Sequence, residues 1–374
     1  MLVAFKLFRS FAAAILAGFL LAIDGLAITL SRTALLDASL TFFLLLGFLF
    51  FLMDQETSRV KITSTIERSK NSILIFRPWL VLTGVALGAA ASIKWSGLYL
   101  LAGIGLYVVV SETLLRRNSD EPNWLKQGLF FQGAYSFVSL VPTALATYTL
   151  TWLGWILGSG GYSRNWAAEN PPTGIFGLLP DWALSLWRYH EMIYGFHVNL
   201  TKEHPYEASP LGWLVGVRPT AFFYESYPQG TNGCEIAEGC SSAITALGNP
   251  FIWISSAAAL IYIIYRYVRN RERVLGLVLL GTSSLYLPWI LLSERTVFQF
   301  YVVSFQPWLI LGLVLTIQQV RRRLLCKSKA LANITTIGFV CVCFGASLFF
   351  LPVNTGMYLP FDLWQLRMWL PSWI

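Results

Sequence analysis

The sequence predicts an all-α polytopic membrane protein with about nine transmembrane helices and one large, structured extracytoplasmic loop. Of the 374 residues, 56% are hydrophobic and only 12% are charged, whereas soluble proteins carry roughly 25% charged residues. The apolar residues also cluster in stretches approaching the roughly 20 residues that a spanning helix needs, because backbone polar groups find no water in the bilayer. This composition excludes a water-soluble globule, a disordered chain and a small disulfide scaffold.

Nine apolar stretches qualify as spans, and several of them are short. They lie at about residues 11–30, 38–53, 79–93, 97–113, 127–150, 249–268, 274–292, 297–319 and 333–352. The third and fourth stretches form a hairpin that turns at residues 94–97, since one continuous helix would leave Lys94 in hydrocarbon. We therefore predict three regions: 1–150 with five helices, 151–248 as the extracytoplasmic loop, and 249–374 with four helices and an outer tail.

The orientation follows from the basic residues, which accumulate in cytosolic loops. Most of the 27 Lys and Arg residues fall in alternate loops. These are Lys6, Arg9, Arg59, Lys61, Arg68, Lys70, Arg77, Arg116, Arg117, Lys126, Arg266, Arg269, Arg271, Arg273, Arg321, Arg322, Arg323, Lys327 and Lys329. We expect a cytosolic N-terminus, an extracytoplasmic C-terminus and an outer 151–248 region. The net charge of +8 then reflects topology, and no nucleic-acid partner is predicted.

The outer loop contains a predicted amphipathic helix at residues 178–200, with apolar residues at helical spacing. Such a helix would lie on the membrane surface, although a plain packing helix has the same pattern. All three histidines of the protein are in or just after it: His190, His197 and His204. The spacing of seven puts the first two on one helix face, but it does not suit a metal site. Hydrogen bonding to a polar substrate, or a structural role, is expected. His204 precedes a proline and belongs to a loop.

The five cysteines divide between the two environments. Cys234 and Cys240 lie together in the outer loop, where an oxidising exterior favours a disulfide. A metal site is the weaker alternative, since two cysteines supply half of a zinc site. Cys326, Cys341 and Cys343 are in or beside the membrane and are expected to be packed thiols.

Four ionisable residues are predicted within or beside the outer half of the membrane: Asp24, Arg32, Asp37 and Lys94. Charges are costly at that depth, so they are functional or mutually paired by default. Arg32 and Lys94 together would suit a lipid phosphate or pyrophosphate, because arginine offers a bidentate fork and lysine a point charge. A structural ion pair between Arg32 and Asp37 is the alternative.

Five stretches resemble the protein O-mannosyltransferases, which belong to the C-type superfamily of membrane glycosyltransferases. Asp24–Asp37 (DGLAITLSRTALLD) is similar to the S-R-x-x-L-L-D signature of that family, and Ala91–Tyr99 (ASIKWSGLY) to its Lys-Trp-x-Gly-Leu element. Trp187–Pro219, Cys234–Trp253 and Gln365–Ile374 resemble the bacterial branch. The stretches occur in family order and extend along nearly the whole chain.

The resemblance implies transfer of mannose from a polyprenyl-phosphate donor to Ser or Thr hydroxyls of exported proteins, at the outer face of a bacterial cytoplasmic membrane. It implies no metal and no cofactor besides the lipid-linked donor. Arg32 and Lys94 would hold the donor phosphate, and His190, His197 and His204 would line the acceptor side. Membrane lipids, the export machinery and a paralogue are the expected partners.

One departure from the family concerns the catalytic base. The family's first outer loop carries an Asp-Glu pair whose Asp deprotonates the acceptor, and the sequence begins after the position of that loop. We expect a truncated gene model, with a degenerate copy as the alternative, and no catalytic residue is assigned. Asp24 and Asp37 are not expected to replace the base. The rival functions are a polyprenyl-phosphate sugar transferase acting on a glycolipid, a non-catalytic partner of a full-length paralogue, and a transporter.

Overall fold

The computed structural model describes residues 1–68, 73–171 and 174–374. Lys70, one of the basic residues used to orient the chain, lies outside them. The described chain is mostly helical. Its α-helices are α1 (Leu2–Phe8), α2 (Phe11–Ala22), α3 (Gly25–Arg32), α4 (Leu36–Arg68), α5 (Pro78–Ile93), α6 (Gly97–Asn118), α7 (Gly133–Thr151), α8 (Leu153–Leu157), α9 (Trp166–Glu169), α10 (Asp181–Val198), α11 (Pro210–Trp213), α12 (Pro250–Asn270), α13 (Arg273–Leu291), α14 (Gln306–Leu325), α15 (Lys329–Thr355) and α16 (Phe361–Gln365). A π-helical turn, Lys126–Gln132, leads into α7, and 3₁₀ turns occur at Gly174–Leu178, Gln299–Ser304 and Pro371–Trp373.

The helices support a multi-pass membrane protein. In the described part of the chain, six helices are long and apolar enough to cross a bilayer: Leu36–Glu67, Gly97–Asn118, Lys126–Thr151, Pro250–Asn270, Arg273–Leu291 and Lys329–Thr355. The pair α2 and α3 adds a seventh if it is one span bent by 62°. Each predicted stretch overlaps helical residues, but 11–30 is divided between α2 and α3, and 297–319 includes a 3₁₀ turn before α14. Helix α5 has only 16 residues, and α14 is not among the six. The count of nine therefore stays a prediction.

The break between α2 and α3 explains the buried carboxylate of Asp24. This side chain is the N-cap of α3 and accepts hydrogen bonds from the Leu26 and Asn249 backbone amides, each at 3.0 Å. It also accepts one from the indole N–H of Trp253 at 3.0 Å. A helix that begins inside the protein leaves free amides, which a carboxylate can satisfy. Asp24 thus holds α3 and α12 together, and among the described residues it makes no ion pair.

Buried charges join four helices at the end of the bundle that carries the predicted cytosolic loops, here called the basic end. Arg77, just before α5, binds Asp54 of α4 and Glu112 of α6, the latter at 2.7 Å. Its guanidinium also donates to the Ser136 hydroxyl of α7 at 2.7 Å. All three charged side chains are at most 2% exposed. Such a cluster is stable only while every charge is compensated.

The opposite end, here called the loop end, contains the hairpin turn between α5 and α6. Helix α5 ends at Ile93 and α6 begins at Gly97, so the predicted turn at residues 94–97 is confirmed. Gly97 is needed there because a Cβ atom would lie 2.6 Å from the Ala91 backbone nitrogen. The turn presents Lys94 and Trp95 beside the 151–248 region.

A small antiparallel sheet, which the all-α prediction missed, connects that region to the C-terminal tail. Its strands are β1 (Ala221–Tyr227), β2 (Cys240–Thr245) and β3 (Tyr358–Pro360), in the order β1–β2–β3. The predicted disulfide between Cys234 and Cys240 is confirmed, with Cα atoms 5.9 Å apart. The sheet packs against a second, smaller hydrophobic core through Ala243 of β2. This core consists of Ala243, Leu247, Phe350, Val353, Trp364 and Trp373. The strands are short and the third is remote in sequence, so no local sequence pattern predicts the sheet.

Candidate functional site

A cavity of about 620 Å³ lies at the loop end of the bundle. Its wall combines the start of α4, the hairpin turn, the end of α7, helix α10 and the segment that follows α13. Aromatic side chains form much of the wall, including Tyr99, Tyr148, Trp152, Trp289 and Tyr301. The charged lining residues are Asp37, Lys94, Glu294 and Arg295.

Lys94 is placed in the cavity by the end of α5. Its ammonium group donates to both carboxylate oxygens of Asp37, at 2.8 and 2.7 Å, and lies 4.9 Å from the ring centre of Tyr301. The Asp37 side chain is 3% exposed, whereas the Lys94 side chain is 32% exposed. Asp37 is thus paired with Lys94 and not with Arg32. One side of the Lys94 ammonium remains open toward the cavity.

Arg295 supplies a second cation to the same cavity, and sequence reasoning missed it. It lies just past α13, with its guanidinium carbon 5.9 Å from the Trp289 ring. The Nε–H of Arg295 and the indole N–H of Trp289 are both buried, and within the described residues neither finds a hydrogen-bond acceptor. Donors of this kind are costly to bury unless something binds them. The signal available in the sequence was a basic residue just after an apolar stretch, a position that Arg295 shares with Lys94.

His197 joins these cations from helix α10. Its Nδ1 atom is 3.5 Å from a terminal nitrogen of Arg295, and its ring lines the cavity. Partial burial, followed by the positive charges of Arg295 and Lys94, lowers the pKa of the His197 imidazole. The ring is therefore neutral near pH 7. The structure brings together two residues singled out in the sequence, Lys94 and His197.

His190 lies on the same helix but has a different environment. One ring nitrogen, Nδ1, is 2.7 Å from the Leu186 carbonyl oxygen, and Nε2 is 2.6 Å from the Tyr148 hydroxyl. Because a carbonyl only accepts, Nδ1 carries the proton and Nε2 accepts from Tyr148. Trp95 stacks on the imidazole at 5.8 Å and donates to the same hydroxyl at 3.1 Å. Both nitrogens are thus occupied, and His190 links α10 to the hairpin turn.

His190, His204 and Arg32 are not among the residues that line the cavity. His204 is in a loop, as expected, where its Nδ1 accepts from the Tyr206 amide at 3.1 Å and its ring meets Phe298 edge-on at 5.0 Å. Arg32 is exposed at the end of α3, which packs against the 3₁₀ turn that carries Tyr301. In the described part of the chain, Arg32 makes no ion pair.

The chemistry of this cavity suits an anion attached to a sugar or lipid. Lys94, Arg295 and the Trp289 indole provide positively polarised N–H groups, and the aromatic wall provides flat apolar surface. Among the residues that the structure describes, no three His, Cys, Asp or Glu side chains are grouped to hold a metal ion. Fold and site together define a polytopic membrane protein with a cavity of aromatic and charged side chains at one end of its helix bundle.

Comparisons with known proteins identify the family. Residues 1–157 match the family described as dolichyl-phosphate-mannose-protein mannosyltransferase, and residues 183–373 match the C-terminal four-transmembrane region of protein O-mannosyltransferase. The chain belongs to the protein O-mannosyltransferase family, as the sequence motifs predicted.

Relatives and one solved structure agree with this assignment. Polyprenol-phosphate-mannose–protein mannosyltransferases of Mycolicibacterium smegmatis and Mycobacterium tuberculosis are 29% and 28% identical to the chain. The alignments cover 99% and 98% of the chain, and 74% and 72% of those proteins. The Saccharomyces cerevisiae Pmt1–Pmt2 complex bound to the sugar donor has a similar fold, with a TM-score of 0.73 at 14% identity, over 100% of this chain and 78% of the yeast chain.

Proposed function

We propose that this protein transfers mannose from polyprenyl-phosphate mannose to Ser or Thr hydroxyls of proteins. Family membership supports the reaction, and the names of the mycobacterial relatives describe it. The observation in the structure that carries the proposal is the convergence of Lys94 and Arg295 on one cavity.

The proposed role of the two cations is to bind the donor phosphate. In the reaction, the acceptor oxygen forms a bond to the anomeric carbon while the bond from that carbon to the phosphate oxygen breaks. The hydroxyl proton passes to a base, because a neutral hydroxyl is a weak nucleophile. The electron pair of the broken bond stays on the polyprenyl phosphate, which gains negative charge. Fixed N–H groups of Lys94 and Arg295 stabilise that charge as it develops.

The remaining predicted site residues keep subsidiary roles in this proposal. Arg32, exposed at the end of α3, would contact the phosphate from the rim of the cavity. His197 would lie between the donor and the incoming acceptor, since it shares the cavity with Arg295. His190 and His204 would position the acceptor side indirectly. His190 links α10 to the hairpin turn, and His204 packs against Phe298.

The finer topology is also part of the proposal. A nine-span arrangement with a cytosolic N-terminus would place the basic end inside and the cavity at the extracytoplasmic face of a bacterial cytoplasmic membrane. Exported proteins would reach the cavity from that side. Association with a paralogue is supported by the yeast neighbour, which is a Pmt1–Pmt2 complex. Contact with the export machinery remains a prediction from the sequence.

The test is mannosyl transfer by the purified protein in lipid nanodiscs, with polyprenyl-phosphate mannose and a Thr-containing peptide. Removing a charge-assisted contact costs about 1.5–3 kcal/mol, so Arg295→Ala and Lys94→Ala should each raise the donor KM about 10- to 100-fold. Arg188→Ala is the matched control, because Arg188 is on α10 but pairs with Glu191. Wild-type protein that glycosylates only a glycolipid, or Arg295→Ala with an unchanged donor KM, would contradict the proposal.

A further inference from the structure

The outer strand β1 is an exposed sheet edge. Among the described residues β1 pairs only with β2, so its other edge has no partner strand. Phe222–Ser226 are all exposed, whereas β2 is almost wholly buried. In the same residues, no backbone hydrogen bond other than those of the β1–β2 ladder is found. Proteins normally protect such an edge, because its free N–H and C=O groups bind other extended chains.

The edge is also held rigid at both ends. At the C-terminal end of β1, here called the far end, Tyr227 is paired with Cys240, whose disulfide to Cys234 closes the hairpin. At the N-terminal end of β1, here called the near end, Ala221 is paired with Thr245. The Asn354 side chain donates to the Thr245 carbonyl at 2.9 Å and so holds this end in place. A template that is already ordered binds an extended segment at a lower entropic cost.

The near end of β1 leads to the cavity. The Phe222 ring is 5.4 Å from the Phe300 ring, and the Phe300 ring is 5.7 Å from the Lys94 ammonium. From there the strand extends for seven residues, or about 23 Å at the usual rise of a strand. A chain lying along β1 would therefore have one end beside the cations of the cavity.

We propose that the free edge of β1 docks the acceptor polypeptide as an added antiparallel or parallel strand, which delivers a Ser or Thr to the cavity. The proposal rests on the proposed function, because it takes the occupant to be the acceptor. An edge offers backbone donors and acceptors at strand spacing, and only a polypeptide can use that pattern. Because backbone hydrogen bonds do not depend on side chains, this mode of docking would accept acceptor polypeptides of many sequences. A lipid would instead use the exposed aromatic rings, and that alternative is an outcome of the test.

The test is a series of fluorescent ten-residue peptides with one Thr, each N-methylated at a single backbone amide. A strand directs alternate amides toward its neighbour, so methylation should raise the peptide Kd about three- to tenfold at every second position only. The intervening positions are internal controls for the conformational effect of the methyl group. Peptide binding is measured to wild-type protein in nanodiscs, and mannosyl transfer to the same peptides is measured separately.

A peptide Kd that is unaffected by methylation, or raised equally at all positions, would overturn the proposal. Absence of peptide binding would also overturn it and would favour contact of the aromatic rings with lipid. Alternation in Kd without transfer to the unmethylated peptide would support the docking edge and refute mannosyl transfer. Glu225→Pro and Ser226→Pro give a second test from the protein side, since one of two adjacent amides faces the free edge. The variant that keeps the wild-type melting temperature should lose peptide binding, and retained binding in that variant would overturn the proposal.

Discussion

The ion pair between Lys94 and Asp37 combines a structural and a functional role, and a double-mutant cycle separates them. In Lys94→Met, the Asp37 carboxylate loses both hydrogen bonds from Lys94 and remains 3% exposed. Breaking a buried pair costs about 3–5 kcal/mol. Because the Lys94 side chain is 32% exposed, water screens part of the attraction, and we expect about 3 kcal/mol.

The double variant Lys94→Met/Asp37→Asn removes both charges and should recover most of that loss, since no unpaired carboxylate is left. Its donor KM should nevertheless stay raised about 10- to 100-fold, because the phosphate has still lost a charge-assisted contact. Asp37→Asn alone should not raise the donor KM. The assays are thermal unfolding and mannosyl transfer in nanodiscs. A double variant that regains both stability and the wild-type KM would show that Lys94 acts only as the partner of Asp37.

Three further perturbations test other parts of the structure. Arg77→Met leaves two buried carboxylates uncompensated and should cost about 3–5 kcal/mol, seen as a lower melting temperature; a wild-type melting temperature would show that the buried charges at the basic end do not depend on Arg77. Burial, followed by the charges of Arg295 and Lys94, lowers the pKa of His197, and a bound phosphate would offset the effect of the cations, so donor affinity should rise as pH falls below the ordinary histidine range. This pH dependence of the donor KM should disappear in His197→Gln, and its persistence would exclude His197 as the source. Cys234→Ser opens a short loop and should cost about 2 kcal/mol, with weaker hydrogen-exchange protection in β1 and β2; unchanged protection would count against the disulfide as the clamp of the hairpin.

The helices were accessible to sequence reasoning because their signals are local. Apolar stretches of sufficient length predict spanning helices, and the cost of burying Lys94 predicts the turn that follows Ile93. The disulfide was accessible for a similar reason, since both cysteines lie in one short segment. The coincidence of Lys94 and His197 in one cavity was suggested by the resemblance to the family.

The features that sequence reasoning missed all depend on contacts between distant segments. Arg295 is one of several arginines that follow an apolar stretch, and only the folded bundle shows that it faces Lys94 across a cavity. The partner of Asp37 was ambiguous because Arg32 is nearer in sequence, although Lys94 is nearer in space. Strand β3 comes from the C-terminal tail and completes a sheet with residues of the central loop. No pattern within three residues could reveal that pairing.

The charges at the two ends of the bundle are compensated differently. At the basic end, the guanidinium of Arg77 is matched by two carboxylates and a hydroxyl, which leaves no charge for a ligand. At the loop end, Lys94 has one carboxylate, while none of the described carboxylates lies within ion-pair distance of Arg295. The buried Nε–H of Arg295 has no acceptor among the described residues, and a buried donor without an acceptor reduces stability unless a ligand or water binds it. Under the proposed function, the phosphate of the donor would supply the counter-ion that Arg295 lacks among the described carboxylates.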